Sequence, residues 1–77
     1  MSQNFDFDAA IDELEERLES GLDNEAIRNL KRLKDVIPKA IKHAERLEKV
    51  GLNTKTQLRE LRDNQAQVEA LLREFGR

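Results

Sequence analysis

The chain has no cysteine, tryptophan or tyrosine, and its 77 residues include only one proline, one histidine, three glycines and three phenylalanines. Without cysteine there can be no disulfide and no thiolate zinc site, and the composition fits a reducing compartment. No stretch approaches 18 consecutive apolar residues, and residues 1–7 lack the basic and apolar regions of a signal peptide. We therefore expect a soluble, cytoplasmic protein with no membrane contact.

Motifs of catalysis and cofactor binding are also missing. The sequence contains no GxGxxG, Walker, CxxC or HExxH motif and no calcium-binding loop. Its one histidine, His43, stands among lysines and arginines, and no serine or cysteine has a spacing that suggests a nucleophile. A chain this short buries too little surface to enclose a deep substrate cavity. We expect no enzymatic activity, no cofactor, no metal and no small-molecule substrate.

Charge, by contrast, is abundant: 39% of the residues are Asp, Glu, Lys or Arg. The net charge of −2 conceals a separation along the chain. Residues 1–24 contain one arginine and eight acidic residues, residues 25–50 contain eight basic and four acidic residues, and residues 51–77 contain five basic and four acidic residues. The first third is therefore strongly acidic and the middle third is basic, which favours electrostatic recognition.

Three segments have apolar residues at spacings of three and four, which predicts helices at about 7–20, 24–50 and 54–75. Because the two connections are short, consecutive helices should pack antiparallel. The predicted fold class is all-α. We expect one domain over residues 1–77, in which an antiparallel helical hairpin and a shorter N-terminal helix pack in the manner of a coiled coil.

Residues that cap helices stand at the predicted boundaries. They are Asp6 or Asp8, Asp23 and Thr54 at the N-termini, and Gly21 and Gly51 at the C-termini. Thr54 and Gln57 have the spacing of a capping box, and Gly51 is predicted to end the central helix in a Schellman motif.

Pro38 interrupts the hydrogen-bonding pattern of the central helix, because proline has no N–H to donate to the carbonyl of Lys34. The apolar stripe nevertheless keeps its phase from Ile37 to Ile41 and Ala44. We therefore expect a kink at Pro38 rather than a break.

The basic residues of the central helix lie opposite its apolar stripe. This basic face consists of Arg28, Lys31, Arg32, Lys39, Lys42, Arg46 and Lys49. Three interpretations are open: a solvated surface, a docking surface for an acidic protein, or a nucleic-acid site. The slightly negative net charge and the absence of aromatic residues among the cations count against nucleic acid.

The first helix presents an acidic face that consists of Asp8, Asp12, Glu15, Glu16 and Glu19. It is interpreted as a solvated surface or as a docking surface for a basic partner, since catalytic carboxylates need a dry pocket. Because both charged faces point away from their own apolar stripes, the acidic face of one molecule is predicted to dock on the basic face of another molecule.

The third helix contains a stripe of coiled-coil type. The stripe consists of Leu58, Leu61, Gln65, Val68, Leu72 and Phe75. We expect it to serve as an oligomer seam, since the first helix is too short to cover the whole hairpin. Gln65 either specifies the register of that seam or lies at its edge with its amide in water.

Short runs in the first 50 residues resemble a known family. They are Phe7, Ala10, Leu14, Glu15, Leu18 to Gly21, Glu25 to Ile27, and Ala44 with Glu45. The pattern is similar to the small subunit of exonuclease VII, a non-catalytic helical hairpin that binds a large nuclease subunit. This chain departs from that family in a first helix about one turn shorter, in Pro38, and in a third helix without a clear counterpart.

These features together predict a non-enzymatic interaction module that associates with itself or with a protein partner. Assembly factors, accessory subunits and small inhibitors are of this kind, and phages and mobile elements often encode them. The alternative is a nucleic-acid-associated protein that uses the basic face, or an accessory subunit of a nuclease complex.

Overall fold

The computed structural model describes residues 6–21 and 23–76 and contains three helices. They are α1 (Phe7–Ser20), α2 (Asn24–Lys49) and α3 (Lys55–Phe75), and no strand occurs in these ranges. The all-α prediction is confirmed, and every predicted helix end agrees within one residue. None of the three helices combines the length and the apolarity needed to cross a bilayer.

The helices pack into an elongated bundle of 45 × 26 × 16 Å. α2 and α3 form the most extensive interface, and α1 packs against both of them. The larger core cluster consists of Ile11, Leu14, Leu18, Ala26, Leu30, Ile37, Val68 and Leu71. A smaller cluster consists of Ala44, Leu58 and Leu61, and Phe7 and Ile41 contact both clusters. The core is therefore continuous along the bundle.

Aspartate side chains cap the first two helices. Asp6 accepts a hydrogen bond from the Ala9 N–H at 3.1 Å, and Asp23 accepts one from the Ala26 N–H at 3.0 Å. Gly21 follows α1 with φ +152° and ψ 177°. This conformation is open mainly to glycine, but it is extended rather than the left-handed helical conformation in which glycine commonly ends helices.

The predicted Schellman motif at the end of α2 is confirmed. Gly51 has φ +101°, its N–H donates to the Glu48 carbonyl at 3.1 Å, and the Leu52 N–H donates to the Leu47 carbonyl at 3.0 Å. These are the two hydrogen bonds of the motif, and they reverse the chain toward α3.

The predicted capping box at the start of α3 was wrong. Thr54 is the N-cap residue, but its side chain accepts no hydrogen bond from the first turn of α3. Its buried hydroxyl instead donates to the Ala44 carbonyl of α2 at 2.9 Å. A contact between helices therefore replaces the local cap, and it fixes the start of α3 against α2.

Pro38 lies inside α2, which continues without interruption from Asn24 to Lys49. The predicted continuity of the helix is confirmed. Because Ile37 and Ala44 on either side of the proline are both buried, the same face of α2 meets the core before and after it.

Candidate functional site

The basic face of α2 lies on the surface of the bundle. All seven of its residues are exposed, whereas Ala26, Leu30, Ile37 and Ala44 on the opposite side are buried. The helix therefore separates its cations from the core as the sequence predicts. At 1.5 Å per residue, the cations from Arg28 to Lys49 extend along about 32 Å of α2.

No residue of the basic face forms an ion pair with any residue in the described ranges. The ion pairs found there are Arg17 with Asp23 at 2.8 Å, Arg17 with Glu25 at 3.1 Å, and Arg62 with Glu45 at 3.2 Å. Glu45 and Glu25 belong to α2 but pair with cations of the other helices. The seven cations consequently keep their charge available to another molecule.

The acidic face of α1 is similarly available. Asp8, Asp12, Glu16 and Glu19 are exposed and Glu15 is half-buried. Within the part of the chain that the structure describes, none of the five takes part in an ion pair. The structure thus carries two unpaired charged faces of opposite sign on neighbouring helices.

Arg17, the one cation of α1, joins α1 to α2. Its Nε donates to Asp23 and its Nη2 donates to Glu25, while the other oxygen of Asp23 caps α2. Hydrogen bonds from the Ala26 N–H and from Arg17 lower the pKa of Asp23, and the hydrogen bonds to Asp23 and Glu25 raise the pKa of Arg17. Sequence reasoning missed this cluster, whose signal was a single arginine in an otherwise acidic helix.

The predicted oligomer seam of α3 packs inside a single chain. Leu58, Leu61 and Val68 are buried in the core, and Leu72 and Phe75 are half-buried against it. Since these side chains already contact α1 and α2, Leu58, Leu61 and Val68 present no surface to a second copy. The seam in this structure therefore belongs to the fold of the monomer.

Asn64 and Leu71 are buried on α3, whereas the predicted Gln65 and Leu72 are only half-buried. Leu58, Leu61 and Val68 are buried as in the predicted stripe, but Asn64 and Leu71 take the places of the residues that follow them. The mean direction of the buried face is therefore rotated by about 30° from that of the predicted stripe. Asn64 is thus the polar residue within the core stripe, and it is a second residue that sequence reasoning missed.

A groove with a volume of about 470 Å³ lies where the start of α1 meets α2 and α3. Asp6, Asp8 and Glu60 contribute carboxylates to its lining, Asn64 contributes a carboxamide, and Ala40 contributes an apolar surface. Among the residues that the structure describes, no lysine, arginine or histidine lines it. In residues 6–21 and 23–76, this groove included, no group of three or more His, Cys, Asp or Glu side chains is arranged to hold a metal ion.

Comparison with known proteins adds no relative. No protein-family model matches the chain, no curated protein is significantly similar to it, and no solved structure matches its fold significantly. The resemblance to the exonuclease VII small subunit therefore rests only on the residues quoted for it.

Proposed function

We propose that this chain is a non-enzymatic interaction module that recognises another protein through its charged faces. The observation that carries the proposal is the set of exposed cations on α2 and exposed carboxylates on α1, which have no ion-pair partner among the described residues. A partner with complementary charge would neutralise them. A cytosolic location is part of this proposal, and the cysteine-free composition supports it.

Opposite charges on two faces suit docking in which orientation matters. Separated patches of opposite charge favour one orientation of an approaching partner and disfavour the other orientations. The electrostatic contribution to binding falls as salt screens the charges. Individual exposed pairs contribute about 0.5 kcal/mol, so several must act together. A row of seven cations along one helix provides that number.

The partner is either an acidic protein or a second copy of the chain. In self-association, the acidic face of α1 in one molecule would contact the basic face of α2 in another. We base self-association on these faces rather than on the α3 stripe, because Leu58, Leu61 and Val68 are already buried within one chain. An accessory subunit, an assembly factor or a small inhibitor would each use such a surface.

Light scattering at about 50 mM and about 500 mM salt tests this proposal. We expect the apparent mass, or the yield of a partner captured on the immobilised chain, to fall at the higher salt concentration. The combined variant Lys39→Glu, Lys42→Glu and Arg46→Glu should weaken the association about ten-fold, because three reversed contacts of about 0.5 kcal/mol each amount to that factor.

A matched control reverses the same number of charges on another helix. Lys55, Arg59 and Arg73 are exposed on α3 and have no ion-pair partner among the described residues. Their combined replacement by glutamate changes the net charge equally but leaves the basic face intact. Association that is unchanged by salt, or that both triple variants weaken equally, would contradict the proposal.

The second candidate is a nucleic-acid-associated function that uses the same basic face. Its support is the row of exposed cations from Arg28 to Lys49, which extends along about 32 Å of α2, is interrupted only by Asp35, and suits a phosphate backbone. Titration of a fluorescent DNA duplex and an RNA duplex distinguishes the two functions. Binding to either duplex that falls steeply with salt and that the α2 triple variant abolishes would favour this candidate over the protein partner.

A further inference from the structure

Asn64 is the buried polar residue of α3. It is only 4% exposed, and its side chain makes no hydrogen bond to any residue in the described ranges. The oxygen and the nitrogen of its side-chain amide both keep some contact with solvent. Because Asn64 also lines the groove at the start of α1, its amide reaches solvent through that groove.

A buried carboxamide without a protein partner is unfavourable unless water or a ligand satisfies it. Leucine would continue the core between Leu61 and Val68 at this position, so packing alone does not account for asparagine. The groove therefore holds a preformed polar group, with a carbonyl oxygen that can accept and an amino group that can donate.

The rim of the same groove is acidic. Asp6, Asp8 and Glu60 are exposed, and none of them forms an ion pair with a described residue. One oxygen of Asp6 accepts the Ala9 N–H, and its other oxygen accepts no hydrogen bond from a described residue. Since none of the described lysines, arginines or histidines lines the groove, the rim and the Asn64 carbonyl together favour a positively charged ligand.

We propose that this groove binds an arginine or lysine side chain of a protein partner. Ala40 and Leu61 provide an apolar surface for the methylene stem, and the carboxylates and Asn64 provide acceptors for the charged head. The volume of about 470 Å³ accommodates such a side chain. This inference rests on the proposed function in one respect, namely that a protein supplies the cation.

A titration followed by nuclear magnetic resonance tests the site directly. The probes are acetyl-Gly-Arg-Gly-amide and the same peptide with citrulline, which has nearly the same shape without the charge. We expect the arginine peptide to shift the side-chain amide signals of Asn64 and the backbone signals of Asp8 and Leu61. The citrulline peptide should bind about ten-fold more weakly, because hydrogen bonds to a charged group are the stronger ones.

Two variants and one control complete the test. Asn64→Leu and Asp8→Asn should each weaken binding of the arginine peptide about ten-fold. Glu13→Gln removes an exposed carboxylate of α1 that belongs neither to the groove nor to the acidic face, and it should leave binding unchanged. Equal binding of the two peptides, no shift at millimolar peptide, or equal effects of Asp8→Asn and Glu13→Gln would overturn the proposal.

The peptide titration does not depend on self-association or on a captured partner. Salt-insensitive association of the whole chain would reject the charged-face function while leaving the groove result intact. If the arginine peptide does not bind although the whole chain still associates in a salt-dependent way, only the groove proposal is rejected.

Discussion

Replacement of Ile37 by alanine tests which side of α2 faces the core, and therefore which side carries the exposed cations. The Ile37 side chain is 0% exposed and lies in the larger core cluster, whereas its neighbour Val36 is 42% exposed. Because adjacent helical residues are separated by 100°, the pair reports the rotation of the helix about its axis.

The expected magnitudes differ widely. Ile37→Ala removes three buried carbon groups, a transfer loss of about 2.4 kcal/mol. A residual cavity of up to about 75 Å³ adds as much as about 1.8 kcal/mol. We therefore expect the free energy of unfolding to fall by about 2.5 to 4 kcal/mol. Val36→Ala should change it by less than about 0.5 kcal/mol, since the side chain is partly in water and alanine favours the helix.

Urea denaturation followed by circular dichroism at 222 nm measures both changes. A chain of this size has a stability of about 3 to 5 kcal/mol, so Ile37→Ala should retain at most about 2.5 kcal/mol and, at the lower end of these ranges, should be unfolded at room temperature. Ile37→Val, with an expected loss of about 1 kcal/mol, provides a measurable value in that case. A larger loss for Val36→Ala than for Ile37→Ala would refute the assigned orientation of α2, and with it the exposure of the basic face.

Two further predictions concern contacts that join helices. Thr54→Val keeps the shape of the side chain but removes the hydrogen bond to the Ala44 carbonyl, and it should lower the free energy of unfolding by about 1 kcal/mol in urea denaturation. Thr56→Val, at an exposed position of the same helix, should cost much less. The lowered pKa of Asp23 stabilises the fold above the pKa that this group has in the unfolded chain, and the stabilisation is lost as the pH falls through the lower pKa of the folded state. Asp23→Asn should therefore reduce the decrease of the urea midpoint at acidic pH, and Asp12→Asn serves as the control. If the urea midpoint of Asp23→Asn decreases with acid as much as that of the unchanged chain, Asp23 does not stabilise the fold in this way.

Helix number and boundaries could be predicted from local signals. The aspartates and glycines at the ends act on the adjacent turn, so residues close in sequence determine them. The Schellman motif at Gly51 has the predicted hydrogen bonds for this reason. The continuity of α2 through Pro38 could also be predicted, because the apolar stripe keeps its phase on both sides of the proline.

Contacts between helices could not be predicted in the same way. The spacings from Leu61 to Asn64 to Val68 and from Leu61 to Gln65 to Val68 fit a coiled-coil stripe equally well. Only the rotation of α3 against its neighbours decides which of the two residues is buried. The Thr54 hydroxyl likewise had a local candidate partner and a tertiary one, and the Ala44 carbonyl of α2 is the acceptor in the structure.

The tight reversal at Gly51 has a kinetic consequence. It joins α2 and α3, the two helices with the largest interface, through only residues 50–54, so the chain closes a very small loop before that interface forms. Bundles of such low contact order fold within microseconds to milliseconds. The hairpin should therefore act as an early nucleus, and the surface that bears the cations should be in place almost as soon as the polypeptide can collapse.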